Sequence, residues 1–295
     1  MVDVFLYSVF EENLIILIQT YLIGLAPFFS QVGGLVWEHL LVIFILILFW
    51  AVDKQLGRIV GMSFVFNGVV TSIIKISVLR KRPYFINSKI KCLQAPKNPS
   101  ASIYSVKAQG YSFPSGHTSS GTSVYGSIAN YFRNKYITII CMLFIMLIGF
   151  SRIFLGVHFP SDVLAGVIIG LAIVFFVSFL FHRFNSFWPY LILFVCLIPG
   201  IFLGSKGIIV RICWFLGFAL GFLFEQKFIN FEKPEGVLQA ILRIIFGIIL
   251  YVILINVFDM KIFDSDLLKF VSKFLTYFIL IAIYPILFDK TKFFS

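Results

Sequence analysis

The chain alternates between long apolar stretches and short polar connections. Runs such as Leu40 to Trp50 are continuously apolar, which favours helices over the alternating strands of a membrane barrel. A helix needs about 20 apolar residues to cross the hydrocarbon core of a bilayer. Nine stretches approach that length: 36–52, 58–79, 117–132, 136–151, 161–181, 187–204, 207–225, 236–257 and 267–288. The pattern predicts an all-α fold, a polytopic transmembrane helix bundle of about nine spans.

The first 35 residues fit two arrangements. Residues 13–29 are apolar enough to suggest a further span. Polar, acidic and helix-interrupting residues favour instead a helix that lies in the membrane interface, and this is the interpretation we prefer. The residues concerned are Asp3, Glu11, Glu12, Gln19 and Pro27.

Composition and charge narrow the function classes. The 295 residues are 60% hydrophobic and 13% charged, which excludes an ordinary water-soluble domain. The net charge of +11 is uneven, because no Asp or Glu occurs between Asp53 and Asp162 while thirteen Lys and Arg do. Basic clusters can bind nucleic acid, but nine membrane spans argue against that partner. The scattered loop lysines can flank membrane segments and bind anionic lipid head groups, whereas the basic residues at the fixed spacings described below need another explanation.

The short loops predict the orientation. If the 52–58 turn is cytoplasmic, the basic residues of the short connections also lie inside, as the positive-inside rule expects. They are Lys54, Arg58, Arg133, Lys135, Arg183, Lys227, Lys233, Lys290 and Lys292. The long basic loop at 80–113 then lies outside, where an anion-binding site would explain its charge. We predict a multi-pass protein of the cytoplasmic membrane with its site on the extracytoplasmic side.

Three short patterns stand at the ends of predicted spans. Alternating helix directions bring all three to one side of the membrane. The first pattern is Lys75, six residues, then Arg82-Pro83; the second is Pro114-Ser115-Gly116-His117; the third is Ser151-Arg152, five residues, His158, three residues, Asp162. One such match is weak, but three in this order predict a single site.

The cations and the helix start suit a phosphate group. Phosphoryl transfer needs positive charge and fixed donors around the phosphate oxygens, and Lys75, Arg82 and Arg152 provide three charges. Arg offers a planar fork of donors that Lys does not reproduce. Ser115 and Gly116 stand where a helix begins, so that backbone N–H groups can meet an anion.

Two histidines fit the proton-dependent roles. His158 is followed four residues later by Asp162, a carboxylate that can fix the tautomer and support the positive charge of an attacking imidazole. His117 has no such carboxylate nearby in sequence and is the better general acid. We therefore predict His158 as the nucleophile, Asp162 as its partner and His117 as the acid that protonates the departing oxygen.

With these three patterns the chain resembles the type 2 phosphatidic acid phosphatase family, over about 75–162 directly and about 36–182 as the helical core. The resemblance implies a membrane-embedded lipid phosphatase that works without a metal ion or other cofactor. It assigns phosphate binding to Lys75, Arg82, Ser115, Gly116 and Arg152, and catalysis to His117, His158 and Asp162. Soluble acid phosphatases and vanadium haloperoxidases share the signature, but nine spans favour the lipid phosphatase branch.

These observations divide the chain into three parts: 1–35 as an N-terminal interfacial segment, 36–185 as the catalytic helical core and 186–295 as additional transmembrane helices. The last part carries no catalytic pattern. We interpret it as a scaffold or a homo-oligomer surface, with substrate selection as the alternative. Arg243 favours that alternative because a charge well inside a span is often functional, although it could equally reach the cytoplasmic side.

The expected substrate is an amphiphilic phosphate from the bilayer. Undecaprenyl diphosphate, phosphatidylglycerophosphate and phosphatidate all fit, and the sequence does not rank them. A phosphotransferase that passes phosphate from His158 to a lipid or sugar would use the same residues. A transporter or scramblase would place its charges at mid-membrane, whereas the charges here stand at helix ends.

Overall fold

A computed structural model describes residues 8–33, 38–94, 102–184, 187–258, 260 and 265–290. Regular structure in these ranges is entirely helical. The helices are α1 (Val9–Leu22), α2 (Ala26–Val32), α3 (Glu38–Ile47), α4 (Lys54–Val78), α5 (Pro83–Ile86), α6 (Val106–Gln109), α7 (Gly116–Phe132), α8 (Lys135–Phe154), α9 (Pro160–Arg183), α10 (Trp188–Phe202), α11 (Lys206–Phe224), α12 (Val237–Phe258), α13 (Asp266–Phe278) and α14 (Ile286–Lys290). A 3₁₀ turn follows α1, and π-helical turns follow α3, α11 and α13.

Helices occupy the described part of each predicted span, which confirms the all-α polytopic fold, but α7, in the predicted span 117–132, is not among the helices long and apolar enough to cross a membrane. Seven helical stretches in the described ranges are long and apolar enough to cross a membrane: Val9–Val32, Lys54–Ile86, Lys135–Phe154, Pro160–Arg183, Lys206–Ile229, Val237–Phe258 and Asp266–Phe288. Glu38–Val52 and Trp188–Phe202 are apolar but shorter. Val9–Val32 therefore also has the length of a span, and the interfacial interpretation of residues 1–35 stays a prediction.

The chain forms two compact units that are discontinuous in sequence. The first contains residues 1–40 and 71–172, and the second contains 41–70 and 173–295. The predicted parts 1–35, 36–185 and 186–295 followed chain order, whereas α4 and α9 each begin in one unit and end in the other. The three-part division stays a prediction about domains.

In the first unit α7 and α8 form a helical hairpin. Arg133 takes a left-handed conformation after α7, and the Asn134 side chain accepts hydrogen bonds from the first backbone N–H groups of α8. Helix α7 is rich in small polar residues because α9 approaches it closely. A Cβ atom on Gly166 would lie 2.8 Å from the Ser115 carbonyl oxygen. This contact holds the start of α9 against the start of α7.

In the second unit Arg243 lies inside the protein and only 2% of it is exposed. Its Nη1 donates to the Glu232 carbonyl at 2.8 Å, and its guanidinium lies 4.3 Å from the ring centroid of Phe288. The Arg243 carbonyl accepts a hydrogen bond from the Tyr284 hydroxyl at 2.7 Å. Arg243 thus joins α12 to the C-terminal aromatic residues, a packing role within this unit.

Candidate active site

All eight residues of the predicted site belong to the first unit. Each stands at a helix end or in the loop beside one, as the sequence predicted. Lys75 lies in the last turn of α4, Arg82 precedes α5, Ser115, Gly116 and His117 begin α7, Arg152 lies in the last turn of α8, His158 lies in the following loop and Asp162 lies in the first turn of α9.

The His158 ring contacts two of the predicted residues. Its Nδ1 lies 3.5 Å from Asp162 Oδ2 and 3.4 Å from the Ser112 hydroxyl, and its Nε2 lies 3.3 Å from Arg82 Nη1. The acceptor oxygens on the Nδ1 side favour a proton on Nδ1. Nε2 then carries the lone pair, and it faces the guanidinium. This is the tautomer that a nucleophilic imidazole needs.

Burial keeps the His158 imidazole neutral. Only 2% of the residue is exposed. Desolvation first, and then the positive charge of Arg82, lower its pKa from 6.5 to about 3, against the opposing effect of Asp162. Nε2 is therefore unprotonated at neutral pH, and its lone pair accepts a hydrogen bond from Arg82 Nη1 at 3.3 Å.

The Asp162 carboxylate is fully buried and held on both oxygens. Oδ1 accepts from Arg80 Nη1 at 2.7 Å, and Oδ2 accepts from the Ser112 hydroxyl at 2.5 Å and from the Phe159 N–H at 2.8 Å. These bonds keep Oδ2 on the side of His158 Nδ1. Sequence reasoning missed Arg80 and Ser112, because neither belongs to a spaced pattern. Each lies only two or three residues from a motif residue, and that proximity was the available signal.

Backbone carbonyls hold two of the three predicted cations. Arg82 donates to the carbonyls of Gly110 at 3.0 Å, Gln109 at 2.7 Å and Val157 at 2.8 Å. Lys75 Nζ donates to the carbonyl of Ser112 at 3.1 Å. These bonds fix the loops on either side of the site, so both cations are in place before any substrate binds.

Arg152 is buried and only partly satisfied. Its Nε donates to the Ser151 hydroxyl at 3.0 Å and its Nη1 donates to Gln94 Oε1 at 3.0 Å. Its Nη2 is buried and has no hydrogen-bond partner among the described residues. A buried charged donor without an acceptor is costly, so this atom is suited to an anionic oxygen supplied by a ligand.

The start of α7 differs in one detail from the prediction. The Ser115 N–H already donates to the Asp162 carbonyl at 3.0 Å, and the Ser115 side chain accepts from Thr118 N–H at 3.4 Å to cap the helix. The Ser115 amide is therefore engaged, and Gly116 N–H is the next first-turn donor that helix geometry leaves for an anion. A Cβ atom on Gly116 would lie 3.8 Å from Lys75 Cε, so this donor and that cation are neighbours.

His117 follows Gly116 in the first turn of α7 and is half-buried. This position puts it on the element that Ser115 caps. Its role as general acid stays a prediction. Within the described ranges no three His, Cys, Asp or Glu side chains are grouped for a metal ion, and the expected absence of a cofactor also stays a prediction.

Two family models match the chain. A model of the PAP2 superfamily matches residues 56–186, which include all eight site residues. A second model, the transmembrane extension of the PAP2 superfamily phosphatases, matches residues 211–295. The two matches fall in separate parts of the chain.

Curated relatives resemble a short part of the chain. A lipid A 4′-phosphatase from Porphyromonas gingivalis is 34% identical over 86 residues, 29% of this chain and 36% of that protein. An undecaprenyl-diphosphatase from Bacillus subtilis is 43% identical over 75 residues, 25% of this chain and 36% of that protein. Phosphatidylglycerophosphatase B from the same organism is 38% identical over 82 residues, 25% of this chain and 40% of that protein. The chain spans well under half the length of these relatives.

Proposed function

We propose that this chain, which carries a PAP2 superfamily domain at 56–186 and matches the transmembrane extension of PAP2 superfamily phosphatases at 211–295, is an integral membrane phosphatase. It would remove phosphate from a lipid phosphate or diphosphate through a phosphohistidine on His158. One observation carries the proposal. The buried His158 has a carboxylate on the Nδ1 side and the Arg82 guanidinium 3.3 Å from Nε2. A phosphate held by that guanidinium would lie beside the lone pair that attacks it.

The reaction has two steps with one nucleophile. His158 Nε2 attacks phosphorus, the bond from phosphorus to the lipid oxygen breaks, and His117 donates a proton to the departing oxygen. The new N–P bond puts positive charge on the imidazole, which Asp162 stabilises through Nδ1–H. Water, deprotonated by His117, then attacks the phosphohistidine. This releases inorganic phosphate and restores the free Nε2.

The cations stabilise the negative charge that spreads over the phosphate oxygens in each step. Arg152 Nη2 supplies a donor that no described residue satisfies, and the Gly116 N–H at the start of α7 is a first-turn donor, while Lys75 and Arg82 add charge. In-line attack requires these donors to be in place beforehand. The anchoring of Lys75 and Arg82 to backbone carbonyls supports that requirement.

The substrate class follows from the membrane spans and from the relatives. The three relatives are named for lipid A 4′-phosphate, undecaprenyl diphosphate and phosphatidylglycerophosphate, and the shared chemistry is a phosphate ester of a lipid. We propose that this chain takes such a lipid from the outer leaflet of the cytoplasmic membrane. Phosphatidate fits the same description.

The test is release of inorganic phosphate by the purified protein in detergent, measured over a panel of these lipids and with His158→Ala beside it. Hydrolysis of at least one lipid by the native chain alone supports the proposal. Equal activity of His158→Ala would overturn the mechanism. Transfer of phosphate to an added acceptor alcohol, with no free phosphate, would make the protein a phosphotransferase instead.

The predicted orientation has its own test. Lys89 is exposed in the 80–113 loop. Lys89→Cys should react with a membrane-impermeant maleimide in intact cells, or in spheroplasts if an outer membrane blocks access. Labelling that requires permeabilisation of the cytoplasmic membrane would place the site on the cytoplasmic side.

A further inference from the structure

Glu11 in the first turn of α1 connects the N-terminal segment to the start of α9. Its Oε2 accepts from Arg80 Nη2 at 3.1 Å, and its Oε1 accepts from the Ser161 N–H at 2.6 Å. The Glu11 side chain is only 12% exposed. Ser161 directly precedes Asp162, so Glu11 bonds to the backbone beside the carboxylate that faces His158.

Arg80 links two carboxylates. Its Nη1 donates to Asp162 Oδ1 at 2.7 Å while its Nη2 donates to Glu11. The guanidinium also lies 4.1 Å from the centroid of the Phe159 ring, and its side chain is 5% exposed. One buried cation is thus shared between two anions, and the three groups together carry one net negative charge. Without the Glu11 charge they would carry none.

That net charge matters because His158 becomes positive when it bonds to phosphorus. Negative charge held nearby in a buried site stabilises the phosphorylated imidazole and the transition state that leads to it. Arg82 and Lys75 oppose this effect from the phosphate side of the ring. The positive charge of Arg80 offsets the negative charge of Asp162. The negative charge of Glu11 compensates for the charge of Arg80, so the cluster as a whole stays negative.

We infer that Glu11 is a positioning residue for the proposed phosphatase reaction, acting through Arg80 to hold Asp162 against His158 and to keep the surroundings of the ring negative. The inference rests on the proposed function. The contact between Glu11 and Ser161 joins residues 150 positions apart in the chain. The inference therefore gives the N-terminal segment a part in catalysis.

The segment is held in place independently of Glu11. Gln19 is buried, and its Nε2 donates to the carbonyls of Lys91 at 2.8 Å and Phe154 at 3.0 Å, while its Oε1 accepts from Lys91 N–H at 2.9 Å. Phe29 packs against Phe154 with 4.7 Å between the ring centroids. A substitution at Glu11 should therefore leave the segment bound to the rest of this unit.

The chain provides a matched control. Glu12 is the adjacent residue and bears the same charge, but its Oε2 accepts from Asn87 Nδ2 at 2.9 Å and not from Arg80. Glu11→Gln and Glu12→Gln each remove one carboxylate charge from the same helix turn. Only the first breaks an ion pair with Arg80.

The experiment measures phosphoenzyme formation by rapid quench with a labelled short-chain lipid phosphate. Glu11→Gln should slow the rate per active site roughly 10-fold, the low end of the effect typical of residues that orient a catalytic ligand, with KM nearly unchanged. Glu12→Gln should stay within about two-fold of the native rate, as expected for a change away from the site. If Glu11→Gln gives a burst of lower amplitude but the native rate, the role of Glu11 is purely structural and the inference is wrong. Equal effects of Glu11→Gln and Glu12→Gln would also overturn it.

Two further variants complete the test. If Glu11→Gln does not yield folded protein, Arg80→Lys examines the same link, because an ammonium cannot bridge both carboxylates as the guanidinium does. A slower rate at unchanged KM supports the inference, and a native rate overturns it.

His158→Ala separates the two claims. If it is inactive while Glu11→Gln is native-like, only the Glu11 inference fails; if it is active, the proposed mechanism fails.

Discussion

Each unit contains a buried Arg joined to a buried carboxylate, and the two clusters are opposite in composition. In the first unit Arg80 is shared by Asp162 and Glu11. In the second unit Arg58 and Lys54 share Glu225, at 2.5 and 2.8 Å. One cluster has an excess of negative charge and the other an excess of positive charge.

Under the proposed function, the first cluster supports catalysis and the second cluster supports only the fold. Asp162 Oδ2 lies 3.5 Å from His158 Nδ1, so a change in the charge of Asp162 would act directly on the proposed nucleophile. Glu225 joins the start of α4 to the end of α11, and no histidine contacts it among the described residues. A buried ion pair such as Arg58–Glu225 adds little net stability when it is intact. Removing one partner lowers the stability strongly, because the other charge is then left buried without a counter-ion. Substitutions in the two clusters should therefore affect different measurements.

The largest effect is expected for His158→Ala. Loss of the nucleophile should remove activity on every substrate, whatever its leaving group, because nothing else can form the covalent intermediate. Phosphate release from a lipid phosphate and from p-nitrophenyl phosphate checks this. Activity retained on the aryl phosphate alone would mean that His158 acts on the leaving group.

His117→Ala should show a large effect that depends on the leaving group. General acid catalysis is typically worth roughly 10²–10⁴-fold, and a weakly basic leaving group needs little of it. Phosphatidate, with its basic alkoxide, should lose most of its kcat/KM, whereas p-nitrophenyl phosphate should lose much less. Equal losses on both substrates would contradict the assignment of His117 as the acid.

Arg152→Lys should lower kcat/KM for all substrates by roughly 10- to 100-fold, since a hydrogen bond to a charged group is worth about 1.5–3 kcal/mol. The ammonium keeps the charge but cannot reach Gln94, Ser151 and a phosphate oxygen together. Steady-state kinetics on one lipid phosphate measures the loss. Native kinetics would mean that Arg152 Nη2 does not bind substrate.

Arg58→Gln is the control from the second unit. It leaves Glu225 with Lys54 alone, and breaking a buried ion pair typically costs roughly 3–5 kcal/mol. We expect a lower Tm in detergent and a kcat/KM per active site close to the native value. A loss of kcat/KM without a loss of Tm would remove the distinction between the two clusters.

The smallest effect concerns stability at low pH. The pKa of His158 falls from 6.5 to about 3 in the folded protein. Between these values the unfolded chain binds a proton that the folded chain does not, so acidification through this window lowers stability, and above 6.5 the contribution is constant. The fall in Tm from pH 7 to pH 4 should be steeper for the native protein than for His158→Gln.

Much of this site could be predicted from sequence because its motif residues follow helix geometry. Asp162 stands four residues after His158, in the first turn of α9, and the three patterns stand at the ends of apolar stretches whose directions alternate. The helices follow from the same apolar runs, with α7 as an instructive case. Residues 117–132 are predicted as a span although many of them are small and polar, and the close approach of α9 explains these residue types.

The partners of Asp162 could not be predicted in the same way. Arg80 and Ser112, together with Glu11 that bonds to Arg80, come from three separate stretches of chain, and no periodicity relates their positions to His158. Glu11 also lies in the segment interpreted as interfacial, where acidic residues are expected to face water. Only the folded structure shows that its carboxylate turns inward to Arg80 and to the backbone of Ser161.

The central claim, that phosphate passes through His158, has one direct test. The protein is mixed with a ³²P-labelled lipid phosphate and quenched in alkali, where phosphohistidine survives, and the labelled peptide is identified by mass spectrometry. We predict that the native protein carries the label on His158. His158→Ala should carry no label, and Arg58→Gln should carry it on His158 as the native protein does. Substrate turnover with the label on another residue, or with no labelled intermediate in a burst experiment, would contradict the account.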